Sequence, residues 1–155
     1  MSQTVVDQQI IGSTPNQTVA GVMSGGAPWM TRRASVTISS SGAVNGVIKG
    51  LLIPGATPTV GPVTDVAVSL VCGGSGGTIA ATTKSFPLNS KGNAKINDTI
   101  KLPSSCIAPV LLVQVTGLTS GPLSTPGPFI ALTGFNTSGG AESASESPGD
   151  TSGNQ

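Results

Sequence analysis

Histidine and tyrosine are absent from the 155 residues, and only 8% of the side chains carry charge. The missing residues are the commonest general base, the commonest transition-metal ligand and the phenolic acid, so no metal site and no cofactor is expected. A charge density about a third of the usual one excludes coiled coils, long solvated helices and charge-driven disorder. Aromatic rings are nearly as scarce, being Trp29 and three Phe. No apolar run exceeds four residues, as in Val110 to Val113, against the ~20 that a membrane helix needs, so no membrane insertion is expected. No basic residue and no continuous apolar stretch precedes Arg32, and no secretory signal is expected there. What the chain has in quantity is punctuation, 22 Gly and 12 Pro, set among abundant Ser and Thr.

The near-neutral total of +1 hides an asymmetry. All seven basic residues (Arg32, Arg33, Lys49, Lys84, Lys91, Lys95 and Lys101) lie between 25 and 136, where Asp65 and Asp98 are the only acids, so that stretch carries +5. Glu142, Glu146 and Asp150 make the segment 137–155 acidic, and Asp7 is the one charge before residue 25. Five net charges over such a length, with so few rings, make a poor nucleic-acid surface, because strand recognition wants clustered cations interleaved with stacking aromatics.

Residues 1–24 alternate weakly and read as an N-terminal arm containing one strand. From Ala34 the pattern sharpens: Ala34, Val36 and Ile38 alternate with Ser35, Thr37 and Ser39, the period-2 signature of a half-buried strand. Ser40, Ser41 and Gly42 turn the chain, and Ala43 to Ile53 returns beside it. Prolines and glycines over 54–62 forbid a helix there. Val66, Val68, Leu70 and Cys72 then face one side while Ala67, Ser69 and Val71 face the other, as in a central strand. Ile79 to Leu88 and Ala94 to Leu102 are two further strands joined by Asn89-Ser90-Lys91-Gly92, whose Asn and Gly can adopt the positive φ of a hairpin. In the second, Asp98 shares the apolar face, so a bulge or an exposed edge is expected. Pro109 to Thr116 and Phe129 to Phe135 complete the set around a Gly/Pro loop, 117–128. Seven or eight short strands with regular turns and no 3.6-residue period predict an antiparallel β-sandwich of the immunoglobulin-like or Greek-key type over 25–136, a closed barrel being the alternative. Residues 137–155 contain no aromatic, Val, Ile or Leu and are expected to be a disordered tail.

Cys72 and Cys106 enclose 33 residues. A bridge of that span stabilises by about 3.8 kcal/mol on chain-entropy grounds, and the alternative is two buried thiols, since metal binding would need further Cys or His ligands, which the chain does not have. Gly26-Ala27-Pro28-Trp29, Gly50-Leu51-Leu52-Ile53-Pro54-Gly55, Val71-Cys72-Gly73-Gly74, Ala81-Thr82-Thr83, the Leu102-Pro103 to Cys106 to Ala108-Pro109 segment, and Ala131 to Thr133-Gly134-Phe135 together resemble a group of uncharacterised small secreted bacterial proteins. The resemblance covers about 25–136 and is most specific in the two cysteine segments. It implies an exported β-sandwich with one disulfide, located extracellularly or at the cell surface, and implies no activity.

Three functions compete. The leading expectation is a non-enzymatic extracellular structural or surface protein, in its sharper version a fibre or homo-oligomer whose arm adds as a strand to a neighbour. The second is a module binding a polysaccharide or surface protein through loops 54–62 and 117–128, with Trp29, Arg32 and Arg33 as the binding surface if the indole is exposed rather than packed. An enzyme would need Asp65 and Asp98 to converge with raised pKa values. The Gly73 to Gly77 run lacks the Lys and the helix of a phosphate cradle and reads as a flexible loop. No catalytic residue is expected.

Overall fold

A computed structural model describes residues 4–133. The thirteen strands are β1 (Thr4–Gln9), β2 (Ile11–Gly12), β3 (Thr18–Val19), β4 (Val22–Met23), β5 (Arg33–Ser39), β6 (Ala43–Lys49), β7 (Val63–Cys72), β8 (Thr78–Thr82), β9 (Phe86–Pro87), β10 (Ala94–Thr99), β11 (Val110–Leu118), β12 (Gly121–Pro122) and β13 (Phe129–Leu132), with one 3-10 turn at Gly74–Gly76. Eight of these have four residues or more. The expected disordered tail, 137–155, lies outside the described residues.

A front sheet runs β1-β5-β6-β10 and a back sheet β2-β13-β11-β7-β8, with β12 a hairpin extension on β11 and β9 continuing beside β7. Every pair in both sheets is antiparallel. Because successive side chains point to opposite faces, Ala34, Val36 and Ile38 of β5, Val44 and Ile48 of β6 and Ile96 of β10 all point inward. They meet Val66, Val68 and Leu70 of β7, Leu111, Val113 and Val115 of β11 and Ile130 of β13 in one core. The molecule is an antiparallel β-sandwich.

The strands β7, β11 and β13 of the back sheet are buried on both faces over most of their length. Val71, Val110, Leu112, Phe129 and Leu132 form a second apolar cluster outside the sandwich, roofed by Val19 with Ala20 and Val22 from the β3–β4 hairpin. This explains the runs Val110 to Val113 and Phe129 to Leu132, which carry no alternation because neither face meets water. A polar seam crosses the same outer face. The Ser69 hydroxyl bonds Gln114 Oε1 and lies 2.8 Å from the Thr82 hydroxyl, and Gln114 Nε2 donates to the Gly127 carbonyl at 3.0 Å, so this amide is buried but satisfied.

Residues 4–24 contribute four short strands rather than an arm with one. β1 pairs with β5 in the front sheet, Ile10 plugs the core, and β2 pairs with β13 in the back sheet. The crossing depends on Gly12, where a Cβ would lie 2.0 Å from the Trp29 carbonyl oxygen. Other expected strands are shorter than the patterns suggest. The strand from Ala43 stops at Lys49, and the one from Ala94 at Thr99. The span from Ile79 to Leu88 divides into β8 and β9, because Thr83 turns its own hydroxyl onto the Val68 amide at 3.0 Å and breaks the ladder.

Candidate functional site

Antiparallel pairing brings the start of β5, the end of β6 and the start of β10 to one end of the front sheet. Arg33 stands directly opposite Lys49, and Lys95 stands opposite Val47, two residues from Lys49. All three cations are exposed on the outer face, since their neighbours Ala34, Ile48 and Ala94 point into the core. Arg32, also exposed, is tied to the same strand end through its amide, which donates to the Lys49 carbonyl at 3.0 Å.

Lys91 reaches this end on a turn that is locked from within and from below. Asn89 Oδ1 accepts the amides of Lys91 and Asn93, both at 3.0 Å. Asn93 Oδ1 accepts the Gly50 amide at 3.0 Å, and the Gly92 carbonyl accepts the Leu51 amide at 2.9 Å. Gly92 has φ +76°, and a Cβ there would sit 2.5 Å from the Leu51 carbonyl oxygen, so only glycine lets the turn lie this close. Two shallow grooves result, sharing the wall made by Asn93. One, of about 490 Å³, is bordered by Val47, Lys49 and Lys95; the other, of about 410 Å³, by Met30, Arg32, Leu52 and Lys91.

Five of the seven basic residues therefore gather here, and no ion pair engages any of them among the described residues. The acids of this stretch lie elsewhere. Asp65 belongs to β7 of the back sheet and accepts the Thr64 hydroxyl at 2.8 Å. Asp98, three residues from Lys95, points to the opposite side of β10 at an exposed sheet edge. Its carboxylate accepts the amides of Lys84 and Thr99, each at 2.8 Å. These two backbone donors, Lys84 first, hold it below the usual carboxylate range. A glycosidase-type acid needs the opposite shift, and the two carboxylates sit in different sheets.

Trp29 is packed: 7% exposed, it belongs to the main core, and its amide donates to the Ser13 carbonyl. It offers no indole platform beside Arg32 and Arg33. Loops 54–62 and 117–128 do meet, through the Thr119 amide on the Pro62 carbonyl at 2.8 Å, but neither holds a charge or an aromatic ring. Sequence reading found Arg32 and Arg33 and missed Lys49, Lys91 and Lys95. Their convergence depends on strand register, and the only local signal was the Asn89 to Gly92 turn.

The expected bridge is present. Cys72 at the end of β7 is bonded to Cys106. Beside it the Gly73 and Gly74 amides donate to the Ile107 and Ala108 carbonyls, which fastens the loop before β11 to the sheet. A small apolar cavity of about 210 Å³ lies next to the bridge, lined by Leu70, Leu102, Pro103 and Pro109.

Fold and site together define a single-disulfide antiparallel β-sandwich with an unpaired cationic end. The chain matches no protein-family model, no curated protein and no solved structure. No helix among the described residues is long and apolar enough to cross a membrane.

Proposed function

We propose that the chain is a non-enzymatic structural or surface protein of the extracellular space, and that it self-associates through the open edge of β8. The disulfide is consistent with an oxidising compartment, and the resemblance to small secreted bacterial proteins points the same way. The single observation that carries the self-association is the contrast between sheet edges. Long exposed edges are normally blunted by charge, proline or brevity. Asp7 lies in β1, Lys95 and Asp98 lie in β10, and β2 has two residues. β8, Thr-Ile-Ala-Ala-Thr, has neither charge nor proline; its pairing with β7 carries one register shift, at Ala80, and Ile79 is 39% exposed on it. Ile107, 78% exposed, lies on the loop bonded to the end of β7 at the same corner.

The arm is not the donor in this reading, because β1 and β2 are already paired inside their own sandwich. One edge meeting its own copy gives a closed two-fold dimer, whereas a fibre needs two different contacts. Near-neutral net charge removes the repulsion that would oppose such pairing. Light scattering after size exclusion, across a concentration series, tests the proposal. The wild-type chain moves from 15.1 kDa towards twice that mass, while Ile79→Lys and Ala80→Lys stay monomeric. Association that persists unchanged in both variants, or a wild-type chain that stays monomeric at millimolar concentration, overturns it.

A further inference from the structure

We propose that the cationic end of the front sheet is a binding site for an acidic polysaccharide, a glycan chain bearing repeated carboxylates, held by Arg33, Lys49 and Lys95 on the sheet face and by Arg32 and Lys91 at its rim. The site lies on the sheet opposite β8, so the inference is independent of self-association.

Charge comes first. Like charges directly opposite each other across a strand pair destabilise it, and Arg33 faces Lys49 with no carboxylate partner for either among the described residues. An anion seated between them removes a repulsion that the free protein carries. Neighbouring strands lie ~4.8 Å apart and diagonal cross-strand neighbours ~7–8 Å, so Arg33, Lys49 and Lys95 form a short row across three strands, matched to charges repeated along a chain rather than to one ion. The rim is prepared in advance: the Asn89 to Asn93 turn is hydrogen-bonded internally and onto Gly50 and Leu51, so holding Lys91 in place costs little on binding.

The remaining groups select the polymer. The side-chain amide nitrogen of Asn93, on the shared wall of the two grooves, has no partner among the described residues and is a neutral donor suited to hydroxyl or carboxylate oxygens. Met30 and Val47, 40% and 41% exposed, put apolar surface between the cations, where the C–H faces of sugar rings can rest. Single-stranded nucleic acid would require rings for its bases, and the aromatic rings of the described residues, Trp29, Phe86 and Phe129, are all buried. An acidic peptide would gain most from an open strand edge; of the row only Lys95 lies on one, β10, while Arg33 and Lys49 belong to β5 and β6, strands paired on both sides.

Isothermal titration of the full chain with polygalacturonate tests this, with dextran, single-stranded DNA and poly-L-glutamate as rival probes and Lys49→Glu/Lys95→Glu as the variant. Polygalacturonate is expected to bind, to weaken about a hundredfold between 50 and 200 mM salt, as counterion release at five cations demands, and to lose at least about tenfold with the variant. Dextran should not bind, and DNA and polyglutamate should bind more weakly at equal salt. Absence of polygalacturonate binding, equal binding by the variant, or stronger binding of DNA or polyglutamate overturns the proposal. Lys84→Glu/Lys101→Glu, an equal change at the two basic residues outside the site, is the control for net charge, and Lys49→Gln/Lys95→Gln replaces the double variant if charge reversal unfolds the sheet.

Discussion

Gly92 and Asp98, six residues apart, show how single positions set up this molecule. Gly92 combines φ +76° with a 2.5 Å approach to the Leu51 oxygen, so Gly92→Ala strains the turn and pushes it off its seat. The expected cost is about 1–3 kcal/mol, read from urea unfolding, together with displaced Lys91 and Asn93 amide resonances. Asp98 is held below its usual pKa by the amides of Lys84 and Thr99. Its stabilisation is therefore complete above the unfolded-state value and is lost as pH falls through the lower folded value. Asp98→Asn should lower the melting temperature at pH 7, where the stabilisation is fully present, and flatten its fall below about pH 4; an unchanged acid limb would contradict the assignment. The sequence already made an inward carboxylate costly and pointed to a bulge or an edge. The register from Ala94 to Thr99 is unbroken, and the edge is what the fold uses.

At the scale of elements, β5 was legible because it alternates over seven residues against one core, β6 because an apolar stretch follows the turn at Ser40 to Gly42, and β7 because a long, mostly apolar run stands between two Gly-rich breaks. The N-terminal strands were not. β2, β3 and β4 have two residues each, too few for a period, and Ile10 marks the point where the chain leaves one sheet for the other. Their role appears only in the assembled molecule, where Val19 and its neighbours cover Phe129 and Leu112. Phe129→Ala should therefore cost about 3–5 kcal/mol, as a core position would, although it lies outside the sandwich. Deleting residues 2–24 uncovers the same cluster and removes β1, and it should yield aggregated protein, seen as loss of the soluble fraction. A soluble, stable truncation would mean that residues 4–24 are an accessory rather than part of the fold.

For the whole molecule, one disulfide and two layers of aliphatic side chains support a sandwich with little charge. Cys72–Cys106 fastens the loop before β11 to the end of β7, and replacing both cysteines by serine should cost about 2–4 kcal/mol on a denaturant scale. That bridge could be argued from two cysteines with no further Cys or His beside them to hold a metal. The cationic end could not, because Arg33, Lys49 and Lys95 are distant in the chain and meet only through the pairing of β5 with β6 and of β6 with β10. Uncharged β8 was hidden for a similar reason: its residues look like any strand until the sheet order leaves them at the rim.

The central claim is that β8 is the contact through which two copies meet, and amide hydrogen exchange at low and high protein concentration tests it most directly. Backbone amides of Thr78 to Thr82 should become more protected as concentration rises, with those of β1 and β10 unchanged. Protection of Thr78 to Thr82 that is indifferent to concentration, or protection that rises at β1 or β10 instead, would contradict the account.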